Sequence, residues 1–157
     1  MTPAWRLVRP ERGTADAAFS GLGARLYGGR WNSPGRTVVY TSATLSLAAL
    51  ETLVHADQRA FMRDYVAFRV TVPDDAVLDL AQPEVPASWR ARPVSPAARA
   101  VGDAWLRDGA SLGLWVPSAV VPLERNLLLD PEHPRWPEVQ LSEPVPFRFD
   151  ARLEPGG

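Results

Sequence analysis

The stretch from Phe19 to Asn32 reads FSGLGARLYGGRWN and packs four glycines, two arginines and three aromatic residues into fourteen positions. Glycines let a backbone approach a ligand closely, and an arginine offers a planar fork of donors to phosphate or carboxylate oxygens. Arg30, directly behind Gly28 and Gly29, is therefore a candidate anion grip, although a plain glycine-rich loop with Arg30 as a surface ion-pair partner has the same composition. The segment is not a dinucleotide fingerprint, because Leu26 stands where the third glycine belongs and no strand-to-helix context surrounds it. A carboxylate follows at Glu51. At 100° per residue it lies on the shoulder of an apolar helical stripe, close to Leu47 and Val54, with Thr44 and His55 along the same flank. There it either reaches into a cleft or stays solvated. Glu-x-x-x-His is not a zinc motif, and the only other histidine is His133, so no metal site is expected.

Tyr40, Thr41 and Ser42 close a strong strand pattern, a position where side chains often line the mouth of a cleft. Ser118 follows Pro117 without a Gly-x-Ser-x-Gly elbow, which disfavours a serine nucleophile and leaves a capping hydroxyl as the simple alternative. Asn126 is equally compatible with a turn. Trp5, Trp89, Trp105, Trp115 and Trp136 show no paired spacing that would make a stacking platform for bases and are assigned to packing.

Composition narrows the chemistry further. The 157 residues carry 17 arginines, no lysine, 18 acidic side chains and a net charge of −1. The absence of lysine excludes Schiff-base and P-loop chemistry, and the absence of cysteine excludes thiol nucleophiles and thiolate metal sites. Near-neutral charge gives no general field for nucleic acid or an anionic membrane. Met1–Pro10 has no signal-peptide pattern and no run approaches a membrane span, so a soluble, cytoplasmic protein is expected.

Of the 16 prolines, three precede residue 73 and thirteen fall from there onward, so the longer regular elements belong to the first half. The pattern predicts a strand over 37–40, a helix over 44–56 with Ser42 or Thr44 as N-cap, and an alternating strand over 64–72 with Val66, Phe68, Val70 and Val72 inward. Further strands are expected over 77–80, 112–116, 127–130 and 147–150. A second helix starts at Ser95 and Pro96, places Ala97, Val101, Ala104 and Trp105 on one side, and stops at Gly109. Short strands outnumber helices without alternating with them, which predicts a single α+β domain on a mostly antiparallel or mixed, bent sheet. The domain is taken as residues 4–153, with a frayed tail at 154–157.

Taken together, the segments at 19–24, Gly28-Gly29-Arg30-Trp31-Asn32, Val38-Val39-Tyr40-Thr41-Ser42 and Ala48-Ala49-Leu50-Glu51-Thr52-Leu53-Val54-His55 resemble the RES-domain family, toxins of bacterial toxin–antitoxin pairs that degrade NAD. The resemblance runs from about Trp5 to Leu153 and includes 114–118, Arg125-Asn126 and 147–150. It implies an ADP-ribosyltransferase-like fold with a split, mostly antiparallel core flanked by helices. It implies Glu51, Arg30 and Tyr40 as the catalytic set, with Gly29, Trp31, Asn32, Ser42, Ser118 and Asn126 at the substrate. NAD would be consumed as substrate, with no resident cofactor. The implied partner is an antitoxin with a helix-turn-helix portion that occludes the NAD cleft, in a complex that can hold a toxin homodimer, without direct nucleic-acid contact by the toxin. The alternatives on the same fold are an ADP-ribosyltransferase acting on a protein and a catalytically inactive binding module.

Overall fold

The computed structural model describes residues 1–56 and 63–154. Of the expected tail at 154–157, residues 155–157 lie outside them. In chain order the regular elements are β1 (Thr2–Val8), α1 (Ala15–Ala18), α2 (Leu22–Tyr27), β2 (Val39–Ser42), α3 (Leu45–His55), β3 (Tyr65–Val72), β4 (Val77–Asp79), α4 (Pro96–Asp108), β5 (Gly113–Pro117), β6 (Arg125–Leu129), β7 (Gln140–Leu141) and β8 (Val145–Phe147).

The strands run β4-β5-β6-β2-β1-β3-β7, with β8 also on β3, and every pairing is antiparallel except β4–β5. This is the α+β class expected from the pattern. β1 and β2 meet in register at one pair only, Trp5 with Ser42, so two half-sheets join at a narrow seam. Side chains alternate across β6: Leu127 and Leu129 enter one core with Phe68, Val70 and Val72, while Leu128 enters the other with Trp31, Ala98, Trp105, Leu114 and Val116.

Both long helices begin at their predicted caps. Thr44 Oγ1 accepts from the Leu47 amide at 3.1 Å, and Ser95 Oγ accepts from the Ala98 amide at 3.1 Å. Their buried faces differ from the expectation. α3 buries Leu47 and Ala48 and leaves Leu50 and Val54 exposed, because it lies on β1 and β2 through a narrow face of smaller area than the full apolar stripe. α4 buries Ala98, Gly102 and Trp105, while Ala97 and Ala104 face outward. The reason is a close approach: a Cβ at Gly102 would stand 1.6 Å from the Trp31 carbonyl oxygen, so this face of the helix is the one that can press on the Gly-Gly-Arg-Trp-Asn segment.

Several strand limits also move. β2 starts two residues later than expected, since its pairing begins at Val39 opposite Leu129. The expected strand over 147–150 is β8 at Val145–Phe147, after which Phe149 turns inward and packs edge-on against Tyr65 and Phe147. In the first half of β3, Tyr65 and Ala67 are buried beside Phe68, whereas Arg69 on the same outer face is exposed, so the second face is covered only at that end of the strand. The short helix α1 precedes the glycine-rich segment and α2 lies within it, and β1 was not anticipated at all.

Candidate active site

A cleft of about 870 Å³ lies along the seam between β1 and β2 and reaches α3, the start of α4 and the β5–β6 hairpin. Glu51 projects into it from α3. The hairpin brings two donors to the carboxylate: Ser118, just after β5, gives its hydroxyl proton to Oε1 at 2.7 Å, and Asn126, in β6, donates through Nδ2 to the same oxygen at 2.6 Å. Neither donor is free to turn away. Ser118 Oγ accepts from the amides of Val120 at 3.1 Å and Val121 at 3.0 Å, so its single proton is left for Glu51. Asn126 Oδ1 accepts from Ser42 Oγ at 2.8 Å, which sets the amide with its nitrogen toward the carboxylate, and Ser42 stands directly opposite Asn126 in the β2–β6 register. One oxygen of Glu51 is thus held by two donors, and Oε2 has no hydrogen-bond partner among the described residues.

Arg30 enters the cleft from the opposite wall. Its Nη1 donates to the carbonyls of Trp89 at 2.6 Å and Ala91 at 3.3 Å, and burial, followed by the nearby Arg92 charge, holds its pKa below the usual range. Tyr40 is anchored by its hydroxyl, which donates to Asn32 Oδ1 at 2.7 Å and accepts from the Trp31 amide at 3.1 Å. Burial raises its pKa well above the normal phenol value, so the group stays neutral, and what it offers the cavity is the ring. Gly29 has a physical reason to lack a side chain, since a Cβ there would stand 2.5 Å from the Tyr40 hydroxyl.

Among the other residues assigned from sequence, Gly29, Trp31, Ser42 and Asn126 line the cleft, whereas Asn32 and Ser118 are fully buried behind its wall. Asn32 spends its amide nitrogen on the carbonyls of Ala24, Ser33 and Arg36, and Trp31 stacks on Trp89 at 6.1 Å in the core under α4. These two side chains shape the loop that carries Arg30. Ser118, Asn126 and Ser42 are committed to holding Glu51.

Three further arginines were not anticipated from sequence. Arg6, on β1, donates through Nε to the Ala18 carbonyl at 2.5 Å and through Nη1 to the Tyr40 carbonyl at 2.8 Å. No carboxylate pairs with it among the described residues, and burial, then the charge of Arg12, pushes its pKa down to about 10. Arg99, on α4, donates through Nε to the Gly29 carbonyl at 3.1 Å, and Arg92 faces the cavity from the segment before α4. The available signal for Arg6 was a charge set within the Trp5–Val8 strand pattern. Altogether Arg6, Arg9, Arg30, Arg63, Arg92 and Arg99 line the cleft against a single carboxylate, Glu51, in a chain of net charge −1. Such a local excess selects an anionic ligand. No group of three or more metal-ligating side chains is found among the described residues, and none of their helices is long and apolar enough to cross a membrane.

A family model described as "RES domain" matches residues 3–150. A protein named Toxin Res from Yersinia enterocolitica is 38% identical over 139 residues, covering 88% of this chain and 91% of that protein. Toxin Res of Photorhabdus laumondii is 38% identical over 95% of each chain, and a Prs ADP-ribosylating toxin of Sphingobium sp. is 32% identical over 97% of this chain and 96% of its own. Among solved structures, the M. tuberculosis MbcT–MbcA toxin–antitoxin complex contains a chain that superposes with a TM-score of 0.75, covering 93% of this chain and 84% of that one. Its sequence identity is 23%, so the likeness speaks for the fold.

Proposed function

The chain belongs to the RES-domain family, and we propose that it is the toxin of a toxin–antitoxin pair that breaks the bond between nicotinamide and ribose in NAD. The observation that carries this reading is the single carboxylate, held through one oxygen and facing an arginine-lined cleft through the other.

In NAD the leaving nicotinamide is already a cationic pyridinium. When the glycosidic bond breaks, its electron pair neutralises that ring, and no proton has to be supplied to the leaving group. The positive charge passes to C1 and the ring oxygen of the ribose in an oxocarbenium-like transition state. Glu51 Oε2 stabilises that charge or holds the neighbouring ribose hydroxyl, and because Ser118 and Asn126 fix the carboxylate beforehand, little reorganisation accompanies the reaction. Arg30, Arg99 and Arg6 supply donors for the pyrophosphate, and the Tyr40 ring gives a flat surface beside the nicotinamide ribose. Water or inorganic phosphate then bonds to C1 and releases its proton to solvent.

Glu51→Gln keeps the shape of the side chain and removes the charge. The purified variant should bind NAD while consuming it 10²–10³ times more slowly, on the order seen when one transition-state contact is lost. Wild-type NAD loss in that variant would sink the assignment.

A second reading is favoured by the 32% identical Prs ADP-ribosylating toxin. There the same bond breaks, and a protein side chain attacks C1. Mass spectra of the products with and without phosphate, and labelled NAD offered to a lysate, separate the acceptors. The toxin–antitoxin complex among the structural neighbours supports an antitoxin partner. In our reading that partner carries a helix-turn-helix portion and occludes the cleft.

A further inference from the structure

The segment from Val85 to Ser95 carries two arginines, Arg90 and Arg92, and no carboxylate. It is tied to both sides of the cleft. Arg30 Nη1 bonds the carbonyls of Trp89 and Ala91 on one side, and Arg90 Nη2 bonds the Ala119 carbonyl, next to Ser118, at 2.9 Å on the other. The Trp89 ring lies against Trp31, which steadies the middle. Held this way, the segment turns Arg92 and Val94 toward the cavity.

Arg92 therefore stands near Arg30 with no carboxylate paired to it among the described residues. Its charge is the largest electrostatic influence of any neighbour on Arg30. The one carboxylate of the cleft, Glu51, already accepts two hydrogen bonds on Oε1 and acts across the cleft on Arg30. Two guanidinium groups lining one cleft repel, and an anion seated between them relieves that repulsion while taking donors from both.

We propose that Arg92 and Arg30 form a two-arginine clamp for the pyrophosphate of NAD, which makes the 85–95 segment a specificity element admitting phosphate-bearing nicotinamide nucleotides over the phosphate-free riboside. The inference rests on the NAD reading above and adds a binding residue to it. Arg92 is exposed, so its replacement leaves the core intact.

The test has two arms. In the first, inorganic pyrophosphate is titrated calorimetrically into wild-type protein and Arg92→Gln, which requires no turnover. Loss of one charge-assisted contact should weaken binding about tenfold or more, and an unchanged Kd overturns the clamp. In the second, KM and kcat are measured for NAD and for nicotinamide riboside. Arg92→Gln should raise KM for NAD about tenfold and spare riboside cleavage. Equal losses on both substrates would mean that Arg92 only supports the loop, and the clamp would be rejected. If pyrophosphate binding depends on Arg92 while the wild type consumes no NAD, the clamp stands and the NAD reading fails. If the wild type consumes NAD and Arg92→Gln does so with the same KM, the clamp fails and the NAD reading stands.

Discussion

Ser118→Ala removes one of the two donors that hold Glu51, and the geometry sets what should follow. The hydroxyl proton reaches Oε1 at 2.7 Å, and a hydrogen bond to a charged group is worth about 1.5–3 kcal/mol. If that energy serves to orient the carboxylate at the transition state, kcat should fall by about 10- to 100-fold, since about 1.4 kcal/mol is a factor of ten. Ser118 is 0% exposed and lies behind the cleft wall, so KM for NAD should change little. The same substitution strips the acceptor from the amides of Val120 and Val121. Leaving these half-buried donors unpaired should cost about 2 kcal/mol of stability, a fall in Tm of roughly 4–8 °C for a domain of this size. Steady-state kinetics with NAD and a thermal melt check the two effects separately. A raised KM with unchanged kcat would refute the positioning role, because it would mean that Ser118 contacts the substrate.

Two further outcomes are expected. Gly102→Ala forces a methyl group onto the Trp31 carbonyl, with an unrelaxed contact of 1.6 Å, so α4 must shift; a loss on the order of 1–3 kcal/mol by denaturant titration is expected, together with weaker NAD binding through the displaced Arg30 loop, and a wild-type midpoint would contradict the packing argument. Asp130 is buried and its pKa is raised by that burial, so its protonated form is favoured in the folded state and its contribution to stability is lost as pH rises through the folded pKa. Asp130→Asn keeps an acceptor for the Glu132 amide and should raise Tm at pH 7, with the advantage shrinking as the pH is lowered through that pKa; an equal shift at every pH would reject the cause.

Legibility followed the range of the forces involved. The caps of α3 and α4 are contacts between residues three apart, so Thr44 and Ser95 were readable directly. Strand alternation was readable where one face is buried, and less so in the first half of β3, where Tyr65 and Ala67 are buried as well. β1 was missed because Trp5, Arg6 and Leu7 line the cleft instead of a plain core, which disguises a strand as a mixed polar segment. The apolar stripe of α3 was overextended because a stripe records what can be buried, and the sheet beneath the helix covers only the side of Leu47 and Ala48.

The amino-acid sequence by itself determined the available chemistry: arginine as the only strong cation, no thiol, no lysine, two histidines, and the Arg30, Tyr40 and Glu51 set whose pattern resembles the RES-domain family. Only tertiary structure decided how those groups act. Ser42 and Asn126 are 84 positions apart, with Glu51 and Ser118 between them, and the β2–β6 register and the β5–β6 hairpin bring all four into one hydrogen-bonded set. The same pairing gives Ser42, Ser118 and Asn126, the residues that the resemblance places at the substrate, the hydrogen bonds that orient the carboxylate. Hydrogen bonds act over about 3 Å, so which donor meets which acceptor is settled by strand register and helix docking, and neither is written in the local sequence around these residues.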